Sequence, residues 1–503
     1  MSFRKIVVSK FLLFFAVALF FTHFLPGQTF EPMKKQVKVH MLANGMKFIV
    51  LERHEAPVVS FHVYADVGSA NEVSGITGIS HILEHMAFKG TKIVGTKDYS
   101  AESKILDEID SLYDEIKREK AKVQPDAAKV KEMEEKFNTL EKQAKEYVIN
   151  NEYFDMMMRE GDQGVNAYTN NDATQYINSL PSNRLEFWMA MTSDRFLNPV
   201  FREFYKERDV IMEERRLGLE TQPMGKLMED FLATAFKAHP YHHDVVGHMS
   251  DLKSITRKDV YDYFRKYYSP SNLTVGIVGD VNPEEVFRLA ELYFNRIPSG
   301  PKPESVRTVE PEQWGERHVT VEAKSQPMLL IGYHHPDVRH KDTIALEALA
   351  DIIGRGRSSR LYQSLVKDKK VAVNVMSLTG FPGDKFPNLI AFYAVPSAGH
   401  TSAECLDLIE AEIEKVKKES VMPEELTKFK RGQVKGLISQ MKANENMAAL
   451  LTYADVVQGD WKLIFDRIEE IKALTEEDVK RVANTYLFKK NRTVGEIVPE
   501  KAS

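Results

Sequence analysis

A chain of 503 residues exceeds one ordinary hydrophobic core, so two or more domains are expected. Hydrophobic residues at 43% and charged residues at 28% describe a globular protein and exclude a disordered or membrane-embedded one. A formal charge of -5, with no basic face interleaved with aromatics, argues against nucleic acid as a partner. The single cysteine, Cys405, excludes an intrachain disulfide and a multi-cysteine zinc site, and it reads as a small core residue.

The first thirty residues stand apart. Arg4, Lys5 and Lys10 precede an unbroken apolar run from Phe11 to Phe21. That is a charged n-region and an h-region of signal-peptide length, short for a membrane span. Pro26-Gly27-Gln28-Thr29 offers a break but no clean small-x-small cleavage site. Residues 1–30 therefore read as a signal peptide or an N-terminal anchor. The chain is expected to be exported, to the periplasm or to the outer face of the inner membrane.

Residues 36–67 read as strands. Asn44-Gly45 is a hairpin turn signal, and Val59, Phe61, Val63, Ala65 and Val67 alternate with polar or less apolar partners at a period of two. A loop then leads into Gly78-Ile79-Ser80-His81-Ile82-Leu83-Glu84-His85-Met86-Ala87-Phe88, an H-x-x-E-H pattern. On a helix His81 and His85 share a face, and Glu84 lies within about 100° of both. Two imidazoles and a carboxylate suit a divalent metal and an activated water, in the order inverse to H-E-x-x-H. The alternative is a buried helix whose histidines satisfy each other. A third ligand elsewhere in the chain would decide between them.

Residues 102–148 carry heptad-like spacing. Ile105, Ile109, Leu112 and Ile116 form one series, and Val130, Met133, Phe137, Leu140, Ala144 and Tyr147 form another across Gln124-Pro125-Asp126. This predicts an antiparallel helical hairpin with arms about 30 Å long, either a solvated excursion or a docking arm. Next comes Asn166-Ala167-Tyr168-Thr169, followed by a strand from Thr174. If that strand forms a sheet edge it can pair with an extended peptide. Residues 183–220 read as helical, with Glu207, Ile211, Glu214 and Gly218 on one face and Glu213 about 100° away. Two carboxylates on such a stripe are costly to bury without a cation, although Arg208, Arg215 and Arg216 could also neutralise a solvated acidic face. His239-Pro240-Tyr241-His242-His243 is a rival histidine cluster. Its adjacent histidines diverge and its proline makes a loop, so it reads as structural.

A repeat closes the chain. Ile255 to Val278 recurs as Leu474 to Ile497 at a constant offset of 219, with Asp259/Asp478, Tyr267/Tyr486, Asn272/Asn491 and Gly276/Gly495 among the identities. The expected fold is α+β: two tandem homologous domains, each a mixed or antiparallel sheet packed with helices, plus the inserted hairpin. The first domain spans 33–296, a proline-rich, stiff and exposed linker 297–311, and the second copy 312–503. The second copy is expected to lack a metal site, because its equivalent helix around Thr343 to Ile353 has no histidine.

With these residues in place the chain resembles the pitrilysin and mitochondrial-processing-peptidase group of inverzincin metallopeptidases, nearest its bacterial branch. The resemblance runs from residue 36 to residue 498. It rests on the H-x-x-E-H helix, the N-A-Y-T strand, E-R-x-V-I-x-E-E at Glu207 to Glu214, His239-Pro240-Tyr241, and Ser358-Ser359-Arg360-Leu361. It implies one zinc per chain bound by His81, His85 and Glu214, with Glu84 as general base and Glu207 a carboxylate backing the ligands. Asn166, Ala167 and Tyr168 become candidate substrate-binding residues. The implied fold is a tandem domain pair, two such pairs closing around a peptide chamber. Two features depart from the family. The 128 residues between His85 and Glu214 are more than usual, which the hairpin explains. Val366 and Val373 stand where the family carries a substrate-binding Arg and Tyr. A partner is therefore expected, either a related subunit supplying that pair or a second copy of this chain. The function expected is an exported zinc endopeptidase acting on peptides or unfolded segments, as the catalytic subunit of a two-subunit enzyme. The alternative is a non-catalytic structural or peptide-binding subunit of the same fold.

Overall fold

The computed structural model describes residues 30–500, so the expected signal or anchor segment lies outside the described residues apart from Phe30. Strands β1 (Val37–Met41), β2 (Lys47–Glu52) and β3 (Val58–Ala65) precede the H-x-x-E-H helix α1 (Ile79–Met86). The hairpin α2 (Tyr99–Lys120) and α3 (Ala127–Tyr147) follows, then β4 (Asn166–Thr169), β5 (Thr174–Pro181), α4 (Leu185–Leu197), α5 (Phe204–Arg215), α6 (Pro223–Ala235), α7 (Arg257–Tyr267) and β6 (Leu273–Gly279). The second half holds β7 (Arg317–Ala323), β8 (Met328–His335), α8 (Thr343–Gly354), β9 (Ala372–Phe381) and β10 (Asn388–Pro396). It ends with α9 (Pro423–Lys442), α10 (Asn444–Tyr453), α11 (Leu463–Ala473), α12 (Glu476–Tyr486) and β11 (Arg492–Pro499).

The two sheets repeat one topology. The first runs β1-β2-β6-β3-β5-β4 and the second β7-β11-β8-β10-β9. In each, the last strand of the half lies parallel to the first of the shared set (β6 with β2, β11 with β7), and the remaining pairs are antiparallel. The helix–strand repeat at an offset of 219 is α7–β6 and α12–β11. Thr256 and Thr475 cap these helices in the same way, each hydroxyl accepting from the backbone of Asp259 or Asp478 while that carboxylate accepts from the Thr backbone.

Several expectations need correction. The strand from Thr174 is not an edge, because β5 lies between β3 and β4; the edge is β4 itself. The helical stretch 183–220 is broken. Pro199 cannot continue a helix, and Glu203 adopts a φ of 55° before α5 begins. The linker is tied down at its far end. Glu310 accepts from the backbone of Lys237 and Ala238 at 2.8 Å each, and buried Gln313 donates to the Arg492 carbonyl at 2.6 Å.

The hairpin is more than a solvated excursion. Its outer surface is charged and exposed, while Ile109, Leu112, Ile116, Leu140 and Ala144 join the first core. Tyr113 packs tilted and Phe137 edge-on against Tyr205 of α5, with ring centroids 4.4 and 5.1 Å away. The hairpin thus braces the helix that carries Glu207 and Glu214.

The halves also interlock. α6, from the first half, buries Leu227, Phe231 and Leu232 against β7, β8, β10 and β11 of the second sheet. α10, from the second half, buries Met447, Ala448 and Leu451 against β2 and β6 of the first. A boundary near residue 300 separates the sheets but not the layers that cover them. Cys405 is buried in the second core, as expected.

Candidate metal centre

The hinge into α1 is built by two carboxylates and a glycine. Gly78 takes a φ of 90°, where a side chain would be strained, and a Cβ there would meet the Val246 carbonyl at 2.3 Å. Buried Glu72 accepts from the backbone N–H of Gly78 at 2.7 Å and Ser80 at 2.8 Å, satisfying donors that the first turn leaves free. Asp251 accepts from the Thr77 hydroxyl at 2.8 Å. The apolar face of α1, with Ile79, Ile82, Leu83 and Met86, sinks into the first core and leaves His81, Glu84 and His85 half-buried on the other side.

Those side chains meet α5. The His81 Nε2 lies 3.9 Å and the His85 Nε2 3.8 Å from Glu214 Oε2. The three donor atoms fall within 4.8 Å of one another. Ligands of a tetrahedral zinc, each about 2.1 Å from the ion, stand about 3.4 Å apart, so a small contraction around a cation closes the set. The other ring nitrogen of His85 is committed: Nδ1–H donates to Glu207 at 3.2 Å, which leaves Nε2 with its lone pair facing Glu214. Lys89 in turn pairs with Glu207 at 2.5 Å.

The electrostatics agree with a cation site. Burial, helped by the neighbouring His85, pushes His81 down to about 4, so its imidazole is neutral and free to ligate. Its Nδ1 is buried without a hydrogen-bond partner among the described residues. Burial also works against protonated His85, but the hydrogen bond to Glu207 and the charges of Glu214 and Glu84 outweigh it and draw His85 upward. Burial opposes ionisation of Glu207 too; hydrogen bonds from His85 and Lys89 win and hold it at about 2. The Glu84 carboxyl is raised by burial, partly offset by Thr169 of β4 beside it. Three carboxylates, Glu84, Glu207 and Glu214, surround the two imidazoles, Lys89 pairs with Glu207, and the donor set fits a divalent metal.

Edge strand β4 flanks this centre. Asn166 and Tyr168 are exposed and Ala167 is buried; β4 is the edge strand of its sheet, and the Ala167 N–H donates to the Asn166 Oδ1 at 2.9 Å. Among the described residues His81, His85 and Glu214 form the one cluster able to hold a metal, and α8 contributes none. The rival histidines stay structural. His239 accepts from the Tyr241 backbone at 3.2 Å, and burial pushes both His239 and His243 down to about 4. Tyr241 donates instead to buried Asp172, in the β4–β5 turn. Asp172 also accepts from the backbone of Asp384 at 2.9 Å, so a loop of the second half holds that turn. Glu213 turns away to pair with Arg216 at 2.5 Å, and Arg215 is buried against Glu229 at 2.7 Å. Val366 is half-buried against the second core, and Val373 is 58% exposed on edge strand β9. Glu72, Lys89 and Asp172 escaped the sequence reading, since each acts from a loop where spacing fixes no geometry.

Known proteins resemble this chain along most of its length. The family model described as Insulinase (Peptidase family M16) matches residues 47–112, and the one described as Peptidase M16 inactive domain matches residues 254–433. The zinc protease PqqE of Helicobacter pylori is 29% identical over 470 residues, covering 92% of this chain and 91% of that one. Both halves of the chain thus resemble peptidase family M16. A probable mitochondrial-processing peptidase subunit beta of Arabidopsis thaliana is 24% identical, over 92% of this chain and 78% of the relative. A solved protease structure from Helicobacter pylori superposes with a TM-score of 0.77 at 27% identity, covering 92% of this chain and 99% of the other. A structure titled peptidase M16 inactive domain from Pseudomonas fluorescens shares the fold, with a TM-score of 0.72 at 17% identity. His81, Glu84 and His85 lie inside the insulinase match, whereas Glu214 lies outside both matches.

Proposed function

We propose that this chain is an exported zinc-dependent endopeptidase that hydrolyses peptides or unfolded segments. The observation that carries the reading is the convergence of His81 Nε2, His85 Nε2 and Glu214 Oε2, with Glu84 on the same helix. Zinc held there would supply Lewis acidity to the scissile carbonyl and to the attacking water. Glu84 would take the proton from that water and hand it to the leaving amine, a role suited to a carboxyl raised by burial. Glu207, kept ionised by Lys89, fixes the tautomer and ring angle of His85. Edge strand β4 would receive the peptide as an added strand, with Asn166, Ala167 and Tyr168 supplying backbone bonds and side-chain contacts.

The same reading assigns the chain the catalytic role in a two-subunit enzyme. Val366 and Val373 offer no charge or hydroxyl to clamp substrate, and a related subunit, or a second copy of this chain, would complete the chamber. Export rests on the apolar run after Arg4, Lys5 and Lys10. Zinc content and cleavage of a quenched peptide, each with and without chelator, test the proposal. Glu84→Gln should keep the metal and lower kcat at least about 100-fold, while His81→Ala or Glu214→Ala should lose the metal itself. Undiminished turnover by Glu84→Gln would sink the mechanism, and a zinc-loaded protein that binds but never cuts would favour a peptide-binding subunit.

A further inference from the structure

The outer face of α9 is basic in a way the metal centre does not explain. Arg431, Lys435, Ile438 and Lys442 recur at spacings of four, three and four, which places them on one stripe. Lys430 and Lys472 flank it, and Val434 with Ile438 forms a half-buried aliphatic floor between the cations. Among the described residues no carboxylate lines this groove. Two acids of α11 are engaged: Glu469 pairs with Lys472 at 2.7 Å and Asp466 with Lys34 at 3.0 Å.

The chain that enters the fold does so beside this stripe. The Phe30 ring lies 6.3 Å from Phe465, in the cluster that also holds Leu437 and Met441 on the inner side of α9. Arg53 of the neighbouring strand end donates to the Met441 carbonyl at 2.8 Å, next to Lys442. The apolar run ends at Phe21, nine residues earlier. Nine residues reach at most about 30 Å. A bilayer that holds that run would therefore lie close to the C-terminal end of α9.

We propose that the Arg431–Lys435–Lys442 face of α9 docks the protein on an anionic phospholipid surface. Phosphate headgroups would meet the cations, and the aliphatic floor would rest on the interfacial layer. The inference does not depend on the metal centre being catalytic. Each cation at an anionic bilayer strengthens binding about fivefold.

The test uses the full chain and the triple variant Arg431→Glu, Lys435→Glu, Lys442→Glu, all at exposed positions. Partition onto phosphatidylcholine vesicles is compared with partition onto vesicles that also contain phosphatidylglycerol. The apolar run is common to both proteins, so the ratio of the two affinities isolates the stripe. The wild type should favour the anionic vesicles, and the variant should lose at least about 100-fold of that preference, less at high salt. The corresponding triple glutamine variant removes the same three cations, should lose about 100-fold, and serves if charge reversal upsets folding. A variant that keeps the wild-type preference overturns the proposal. So does a wild type that binds polyglutamate yet ignores vesicle charge, which would assign the stripe to an acidic protein partner.

Discussion

His85 owes its ligating geometry to a residue that would never touch the metal. Glu207 accepts the Nδ1 proton at 3.2 Å and is itself held by Lys89 at 2.5 Å, so the ring can present only Nε2 to Glu214. Replacing Glu207 by glutamine keeps an acceptor but removes the charge that balances Lys89. Metal affinity should then fall about 10- to 100-fold with little change in melting temperature, measured by competition with a chromophoric chelator. A purely structural Glu207 would show the opposite pattern. Glu207 and Glu214 were legible from the sequence because α5 is regular, and helical periodicity put them seven apart on one face. Lys89 was not. It lies past the end of α1, and nothing in its position fixes the direction of its side chain.

Among the elements, the α2–α3 hairpin shows where periodicity informs and where it stops. Its two arms could be read from their apolar spacing, and its buried seam at Ile109, Leu112, Ile116, Leu140 and Ala144 follows that reading. Its attachment could not. Glu102, in the first turn of α2, is fully buried and binds Arg202 at 2.9 Å. Arg202 also donates to the carbonyls of Thr91 and Val94, in the loop that leaves α1, at 2.7 and 3.2 Å. One guanidinium therefore joins the hairpin base to the exit of α1 and the approach to α5. Glu102→Ala leaves that cation buried without its carboxylate and should cost about 3–5 kcal/mol in a urea titration. It should also weaken zinc binding, because both ligand-bearing helices lose a common anchor. Glu108→Ala breaks an exposed pair with Lys136 on the outer face and should cost less than about 1 kcal/mol. Equal losses from the two would mean that the anchor carries no special weight.

At the scale of the whole molecule, the repeat announces two copies of one unit, but the copies are not separable. Gly276 and Gly495 are identical across the 219-residue offset, and the exchange of helices gives the physical reason. A Cβ on Gly276 would meet the Ala448 carbonyl of α10 at 2.7 Å, and one on Gly495 would meet the Phe231 ring of α6 at 2.8 Å. Each glycine lies where a helix from the other half crosses its sheet. The identity was visible in the sequence. Its cause was not, since an apolar helix face does not say which sheet it covers. Residues 30–296 made alone would expose Val37, Ile49, Leu51 and Val278, which α10 and its neighbours otherwise cover. Residues 312–503 made alone would expose the second-sheet residues Val321, Leu330, Leu389 and Ile497 beneath the missing α6. Burying such side chains is worth about 1.5–3 kcal/mol each, a large share of the stability of a domain of this size. Each fragment alone should therefore aggregate or bind a hydrophobic dye, whereas the two expressed together should assemble into a soluble complex that holds zinc. A first fragment that folds by itself with native metal affinity would show that the second half contributes no structure to the site. Gly276→Ala in the intact chain probes the same contact from inside. The clash is with backbone that cannot rotate away, so a loss of about 1–3 kcal/mol is expected at one position of one strand.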